Sequence, residues 1–305
     1  MGNALYVINP AGHGGAGLAV WEKFKSLWSD PIDPGDVIVT EKPGQARGLA
    51  ASSDDWETLV AVGGDGTANE MIAGVLSRPD DRPRLAIIPA GTGNDIARNV
   101  GVHSIEDSVA ALRAAEDRSY DVVRVHWVAQ GVPQDGCAFL QGIVGFSGVP
   151  GIKPWMKRLF GPTVAYRLGS MVQVFKYKAP HMTIETDGRH YSGPAWMLIV
   201  GNAEWASGGS MCLSPGARTD DGDLNITVIP YEKSKLGMAL NMGPKIATGE
   251  HVQLPEVEYF KATQVEVQSS PAAILDLDGD IVGTTPATFA VCPQAVRIIS
   301  LRKAI

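Results

Sequence analysis

Cysteine is scarce in this chain of 305 residues: Cys137, Cys212 and Cys292 are odd in number, far apart and form no CxxC pair. That argues against a disulfide framework and a cysteine-built zinc site, and it fits a reducing cytoplasm. A basic excess is also missing. Lys and Arg number 26 against 33 Asp and Glu, a net charge of −7, the wrong sign for a dedicated nucleic-acid binder. One local pocket can still hold phosphate in such a chain. No apolar run approaches the roughly 18 residues of a spanning helix. The start has no basic n-region leading into an apolar h-region. Met1-Gly2-Asn3-Ala4-Leu5-Tyr6 lacks the Ser or Thr that a myristoylation signal wants at its sixth position. Gly (35) and Pro (20) together stay below the roughly 25–30% of low-complexity chains. The expectation is a cytoplasmic protein of two domains, at about 100–200 residues per domain, whose contact with membranes is peripheral.

The first third alternates strand and helix. Ala4 to Ile8, Val37 to Val39, Leu59 to Val62 and Leu85 to Ile88 are short apolar strands. Between them lie a helix over 18–28 with Leu18, Phe24, Leu27 and Trp28 inward, and one with Met71, Ile72 and Val75 inward. A further helix starts at the capping box Ser104-Ile105-Glu106-Asp107. Such alternation predicts a parallel sheet built of βαβ units. The style changes near residue 120. Short β-prone runs follow, at Tyr120 to Val128, Met182 to Glu185, Ala195 to Val200 and Leu224 to Ile229. After one helix between Ser234 and Thr248, ended by Gly249, strand patterns return at Val265 to Val267, Ile274 to Leu277, Thr288 to Val291 and Val296 to Leu301. The fold class is therefore an α/β domain of doubly wound parallel sheet over 1–124, then an antiparallel β domain over 125–295.

Three segments share one design of strand, glycine-rich turn and helix: residues 9–17 (NPAGHGGAG), 63–70 (GGDGTANE) and 89–95 (PAGTGND). In a parallel sheet all three turns lie beyond the carboxyl ends of the strands, where ligands bind. Glycine lets the backbone approach closely, and helix N-termini offer free N–H groups to phosphate. Thr67 and Thr92 add hydroxyl donors. Tight connection alone explains one such turn; three in register point to a phosphate site. None contains Lys, and no Walker A pattern occurs, which excludes a P-loop NTPase. Compensating charge must come from backbone dipoles, a metal such as Mg²⁺, or a side chain elsewhere such as Arg98.

These segments, in this order and spacing, resemble the diacylglycerol kinase catalytic family, which includes bacterial diacylglycerol kinases and sphingosine and ceramide kinases. SPGARTDDGDLNITVI and LDLDGDIVGTTPATFAVCPQAVRII extend the resemblance to nearly the whole chain. It implies an N-terminal nucleotide domain like that of NAD kinases, a C-terminal β-sandwich, an active site in the cleft between them, and a final strand (about 296–305) that returns to the first domain. It also implies an ATP- and Mg²⁺-dependent lipid kinase acting on a hydroxyl such as that of diacylglycerol. By motif, ATP contacts fall on Asn9, Pro10, Gly12, Thr40, Gly64, Asp65, Gly66, Thr67, Asn69 and Thr92, with Gly63, Gly91 and Asn94 in the same loops. Two alternatives stand beside this reading: an NAD-kinase-like or small-polyol kinase, and a weakly catalytic nucleotide- or lipid-binding regulator.

Asp280 stands where the family places its proton acceptor, usually a Glu, and is shorter by one methylene. Asp278 is the alternative base or a metal ligand, and Asp65 could orient Mg²⁺ or share the base role. Asp-Gly is also a strong hairpin signal, so this segment reads equally as a β-turn. Asp220-Asp221-Gly222-Asp223 packs three carboxylates into four residues, and like charges so close favour a cation. The resemblance implies a structural Mg²⁺ held by Asp221 with nearby backbone carbonyls, at Arg218 and Asp223; an acidic hairpin turn is the plainer alternative. His13 reads as incidental to its loop. Residues 136–180 contain no Asp or Glu and interleave Lys153, Lys157, Arg158, Arg167, Lys176 and Lys178 with aromatics. A segment of this kind at 150–178 suits contact with an anionic lipid surface, or is simply a solvated basic face. The partners expected are a lipid substrate and a membrane surface, with no nucleic acid; a homodimer is left open.

Overall fold

The computed structural model describes residues 3–52, 55–79, 82–129, 131–146, 174, 177–231, 237 and 241–301. The basic, aromatic segment 150–178 falls almost wholly outside them. The chain opens with β1 (Ala4–Ile8), α1 (Gly12–Gly15), α2 (Gly17–Leu27), β2 (Val37–Val39), α3 (Gln45–Ser52), β3 (Thr58–Gly63), α4 (Asp65–Leu76), β4 (Arg84–Pro89), α5 (Asp95–Asn99) and α6 (Ile105–Ala114). A strand-rich series follows: β5 (Asp117–Ala129), β6 (Val132–Ala138), β7 (Gln141–Gly145), β8 (His181–Thr186), β9 (His190–Gly201), β10 (Trp205–Ala206), β11 (Met211–Cys212) and β12 (Leu224–Pro230). It closes with α7 (Gly243–Thr248), β13 (Glu258–Ala262), β14 (Gln264–Ser270), β15 (Ile274–Leu277) and β16 (Asp280–Ile299).

The first domain is the parallel, doubly wound sheet, in the order β2-β1-β3-β4 with the end of β16 beside β4. Tyr6 pairs with Val37, Leu5 with Leu59, Leu59 with Leu85 and Leu85 with Ile298. Helices cover the sheet, so β1 and β3 are buried at every residue and write themselves as unbroken apolar runs. On α2 the inward stripe is Gly17, Trp21, Phe24 and Trp28, at helical spacing. Trp21 and Phe24 stack at 5.6 Å, and Phe24 and Trp28 at 5.7 Å. Leu18 and Leu27, expected inward, lie off that stripe and are 46% and 38% exposed. The loop expected over 9–17 contains one helical turn, α1. At α6, Ser104 Oγ accepts from Asp107 N at 3.0 Å, and Asp107 answers by accepting from His103 N.

The second domain is a β-sandwich of two layers, β6-β5-β16-β14-β8 and β13-β12-β9-β7-β15. Pairing of β8 with β9 and of β15 with β16 joins the layers at their edges. Its interior holds Val123, Val125, Val200, Ile226, Val265, Leu275 and Phe289. The runs Thr288 to Val291 and Val296 to Leu301, read as two strands, belong largely to one: β16 continues through an irregularity between Cys292 and Val296. The helix expected over 234–248 is described from Gly243 to Thr248 and ends at Gly249 in the left-handed region (φ 83°). Both β5 and β16 run from one domain into the other, and residue 124 lies in the middle of β5.

Candidate active site

The three glycine-rich turns meet at the carboxyl ends of β1, β3 and β4. Asn9 Nδ2 donates to Thr67 Oγ1 at 2.9 Å, and Ala90 N donates to Gly63 O at 2.8 Å. A Cβ on Gly64 would lie 2.9 Å from Gly91 Cα, so only glycine lets these two turns touch. Thr40 is anchored beside them, its N–H and Oγ1 both donating to Ile8 O. Asn94 sits in the left-handed region (φ 56°), accepts from Gly91 N and donates to Gly91 O. Its amide thus shapes the turn. Pro10, Gly12, Asn69 and Thr92 lie on the same turns, with Gly66 and Thr92 exposed at the rim. Thr67 accepts from Asn9 and keeps its own proton to donate.

Asp65 begins α4, and its Oδ1 accepts from Ile96 N at 2.8 Å. Burial and the charge of Asp95 hold its carboxyl above the ordinary range, against the pull of the Ile96 N–H. Across the cleft, Asp278 and Gly279 form the two-residue turn between β15 and β16, both at positive φ (50° and 94°). The segment is thus the β-hairpin turn that Asp-Gly signals. Asp278 Oδ2 accepts from Phe139 N (2.7 Å), and Oδ1 accepts from Leu140 N (2.9 Å) and Gln141 N (2.8 Å). Burial pushes its carboxyl up to about 7; the three N–H groups restrain the rise, and the charge of Asp65 adds to it. The turn is thereby clamped to the β6–β7 corner, with Asp280 exposed next to it.

The acidic turn 218–223 lies on the sandwich. Arg218 Nε donates to Asp220 Oδ1 at 3.0 Å. Asp221 Oδ1 accepts from Asp223 N, while Lys261 Nζ donates to Asp221 Oδ2 at 2.7 Å and Asp223 Oδ2 at 3.1 Å. Both Asp221 oxygens are engaged, one of them by an ammonium. An ammonium thus supplies the cation that these side chains meet, and among the described residues no group of three His, Cys, Asp or Glu is placed to hold a metal.

Two residues that the sequence did not single out hold the site together. The carboxylate of Asp95, which is buried, accepts from Gly208 N (2.8 Å) and Gly209 N (2.9 Å), tying the glycine-rich turns to the second domain. Ser207, Gly208 and Gly209 are all at positive φ, a backbone nest that presents N–H groups to an anion. The run Ser207-Gly208-Gly209 was the visible signal. Asp121, also buried, accepts from Gly222 N and Gln294 N, each at 2.7 Å; a carboxylate set between Tyr120 and Val122 in a strand was its signal.

Comparison with known proteins agrees with this two-part fold. A family model described as the diacylglycerol kinase catalytic domain matches residues 3–125, and one described as the YegS C-terminal NAD kinase beta sandwich-like domain matches residues 155–300. A diacylglycerol kinase of Staphylococcus saprophyticus is 28% identical over 270 residues, 87% of this chain and 84% of that protein. One of Staphylococcus aureus is 29% identical over 259 residues, 83% of this chain and 78% of that protein. The crystal structure of a diacylglycerol kinase from Bacillus anthracis aligns with TM-score 0.69 and 20% identity, over 98% of this chain and 96% of that one. Another Bacillus anthracis chain reaches TM-score 0.74 at 23% identity, covering 98% and 95%. The solved structures show the shared fold. Among the described residues no helix is long and apolar enough to cross a membrane.

Proposed function

This chain belongs to the diacylglycerol kinase catalytic-domain family, and we propose that it transfers the γ-phosphoryl group of ATP, with Mg²⁺, to a lipid hydroxyl of the diacylglycerol type. The observation that carries the reading is one juxtaposition. Three touching glycine-rich turns, suited to polyphosphate, face a carboxylate turn locked by three backbone N–H groups onto the other domain. The division at residues 124 and 125 assigns nucleotide binding to the first part and the acceptor to the second.

The turn amides and the Thr67 and Thr92 hydroxyls bind phosphate oxygens, while Asn9, Gly63, Gly91 and Asn94 hold the turns in shape. Asp65, a hard oxygen donor beside them, suits Mg²⁺ arriving with the nucleotide; the metal supplies charge neutralisation on the phosphates. Asp280 accepts the proton of the acceptor hydroxyl as its oxygen bonds to the γ-phosphorus and the bond to the β–γ bridging oxygen breaks. Asp278 positions Asp280 through the Phe139–Gln141 amides. The basic, aromatic segment 150–178 supplies reversible contact with an anionic membrane surface. Neutralising Lys153, Lys157 and Arg158 together is expected to weaken binding to anionic vesicles, and unchanged binding removes that part of the reading.

The test is Mg²⁺-dependent transfer of labelled phosphate from ATP to dispersed diacylglycerol, monoacylglycerol, sphingosine, ceramide and phosphatidylglycerol. A phosphorylated lipid is the expected product. ATP turnover onto glycerol or NAD instead, with no lipid product, would overturn the acceptor class.

A further inference from the structure

Charge is the unsolved part of this cleft. The three turns contain no Lys or Arg, and Asp65 and Asp95 lie in them, with the charge of Asp65 felt at Asp278. A nucleoside triphosphate adds several more negative charges. Helix ends supply partial charge only, about half a unit each, so full cations are needed from side chains as well as from the metal.

The strand register supplies one. Arg124 on β5 is directly opposite Cys137 on β6 and Ala290 on β16. Directly opposed residues project from the same face, with Cβ atoms about 4.5–5.5 Å apart. On that face Cys137 Sγ donates to Asn69 Oδ1 at 3.8 Å, and Asn69 lies in the first two turns of α4. Arg124 therefore leaves its strand beside the second glycine-rich turn, and Ala290 on its other side is too small to obstruct it. Its neighbours Val123 and Val125 are buried, yet Arg124 is exposed.

Arg47 on α3 is a second exposed guanidinium of the same neighbourhood. Burial raises the Cys137 thiol to about 12, with Asp278 adding to the rise, while Arg47 and Arg124 both pull against it. Asp278, Cys137, Arg47 and Arg124 thus share one electrostatic neighbourhood. Elsewhere arginines such as Arg84, Arg218 and Arg297 pair with carboxylates. Among the described residues neither Arg47 nor Arg124 has an ion-pair partner.

We infer that Arg124 and Arg47 are the cationic clamp on the nucleotide's β- and γ-phosphates, with Arg124 brought to the transferring group by the sandwich. The inference rests on the kinase reading above and deepens it. Guanidinium recognises phosphate through paired N–H donors and stays protonated throughout the transfer, so it stabilises charge without entering the proton balance. Arg124 on β5 and Asp280 on β16 lie on two strands that pair with each other, so clamp and proton acceptor share one framework.

The test compares wild type with Arg124→Gln, Arg124→Lys and Arg47→Gln. Binding of Mg²⁺·ATP and of AMP is measured by calorimetry, alongside kcat and KM for both substrates and thermal unfolding without nucleotide. Arg124→Gln is expected to weaken ATP about tenfold, leave AMP unchanged, and lower kcat by about 10³-fold, the low end for an arginine acting on transferred phosphate. Arg124→Lys is expected to recover part of the loss, and Arg47→Gln to weaken ATP with a smaller effect on kcat. A wild type that binds ATP while Arg124→Gln binds and turns over equally well overturns this inference alone. So does an equal loss of ATP and AMP, or a rise confined to KM for the lipid. A wild type that binds no ATP overturns the kinase reading together with the inference.

Discussion

Two acidic turns of this protein read almost alike and are built for different ends. Asp220-Asp221-Gly222-Asp223 and Asp278-Gly279-Asp280 each place carboxylates around a glycine at positive φ, 76° and 94°. In the first, the neutralising group is the ammonium of Lys261, on a side chain nearly half exposed. In the second, Asp278 is enclosed by three backbone N–H groups with no cation among its partners. An ammonium satisfies charge and leaves the carboxylates ionised at low cost. Amide dipoles in a buried site satisfy geometry but leave the charge undercompensated, which is why the Asp278 proton affinity climbs toward neutrality. The composition of an acidic turn does not fix its chemistry; what closes over it does.

The sharpest way to break the comparison is at the proposed proton acceptor. Asp280→Asn is expected to lower kcat by about 10²–10⁴-fold, the range of a lost general base, with ATP affinity retained in calorimetry. Asp280→Glu, which restores the methylene, is expected to keep turnover. Asp278→Ala comes next. It leaves three N–H donors unsatisfied, at about 1–3 kcal/mol for each one that stays buried, so denaturant unfolding is expected to show a loss above ~2 kcal/mol and turnover to fall with it. The pH response sharpens the contrast further. The folded Asp278 carboxyl lies above its ordinary 3.8, at about 7. The stability this group lends is therefore full below its unfolded value and is lost as pH rises through about 7. The stability of wild type relative to Asp278→Asn is expected to shrink between about pH 4 and 7 and to level off above, as read from thermal unfolding across pH. The smallest effect belongs to the other turn. Lys261→Met removes a half-exposed ion pair worth about 1 kcal/mol or less. Millimolar Mg²⁺ is then expected to raise the Tm of that variant and leave wild type unmoved.

Much of the first domain was legible because burial on both sheet faces leaves no polar alternation to misread. β1, β3 and β4 are unbroken apolar runs, each stopped by its glycine turn. α3 was not legible: it buries only Ala46 and Ala50 and carries Gly48 in its middle, too narrow a stripe to stand out. β6 was hidden as well, since Pro133 and Asp135-Gly136 read as turn residues. Among the described residues β6 pairs only with β5, so Pro133 at a sheet edge costs no hydrogen bond to a second neighbour. In the site, residues within a motif could be placed by spacing, whereas partners far along the chain could not. Gly208 and Gly209 lie more than a hundred residues from Asp95, and Lys261 lies 40 from Asp221. Nothing local encodes those meetings; they follow from β9 to β13 folding back over the sandwich.

β16 begins at Asp280 and ends in the sheet that carries the glycine-rich turns, one strand of 20 residues. A hinge needs a stretch where pairing stops. The irregularity between Cys292 and Val296 is the natural candidate, yet Asp121 fastens it by accepting from Gln294 N. The strand therefore behaves as a stiff rod shared by two bodies: strain at one end is delivered to the other as load. Cutting the chain into halves would strip Leu85 of its neighbour Ile298 and bare a hydrophobic sheet edge of the kind that seeds aggregation. Amide exchange along 288–298 is expected to be as slow as in β3, with both halves melting as one cooperative unit rather than in two steps.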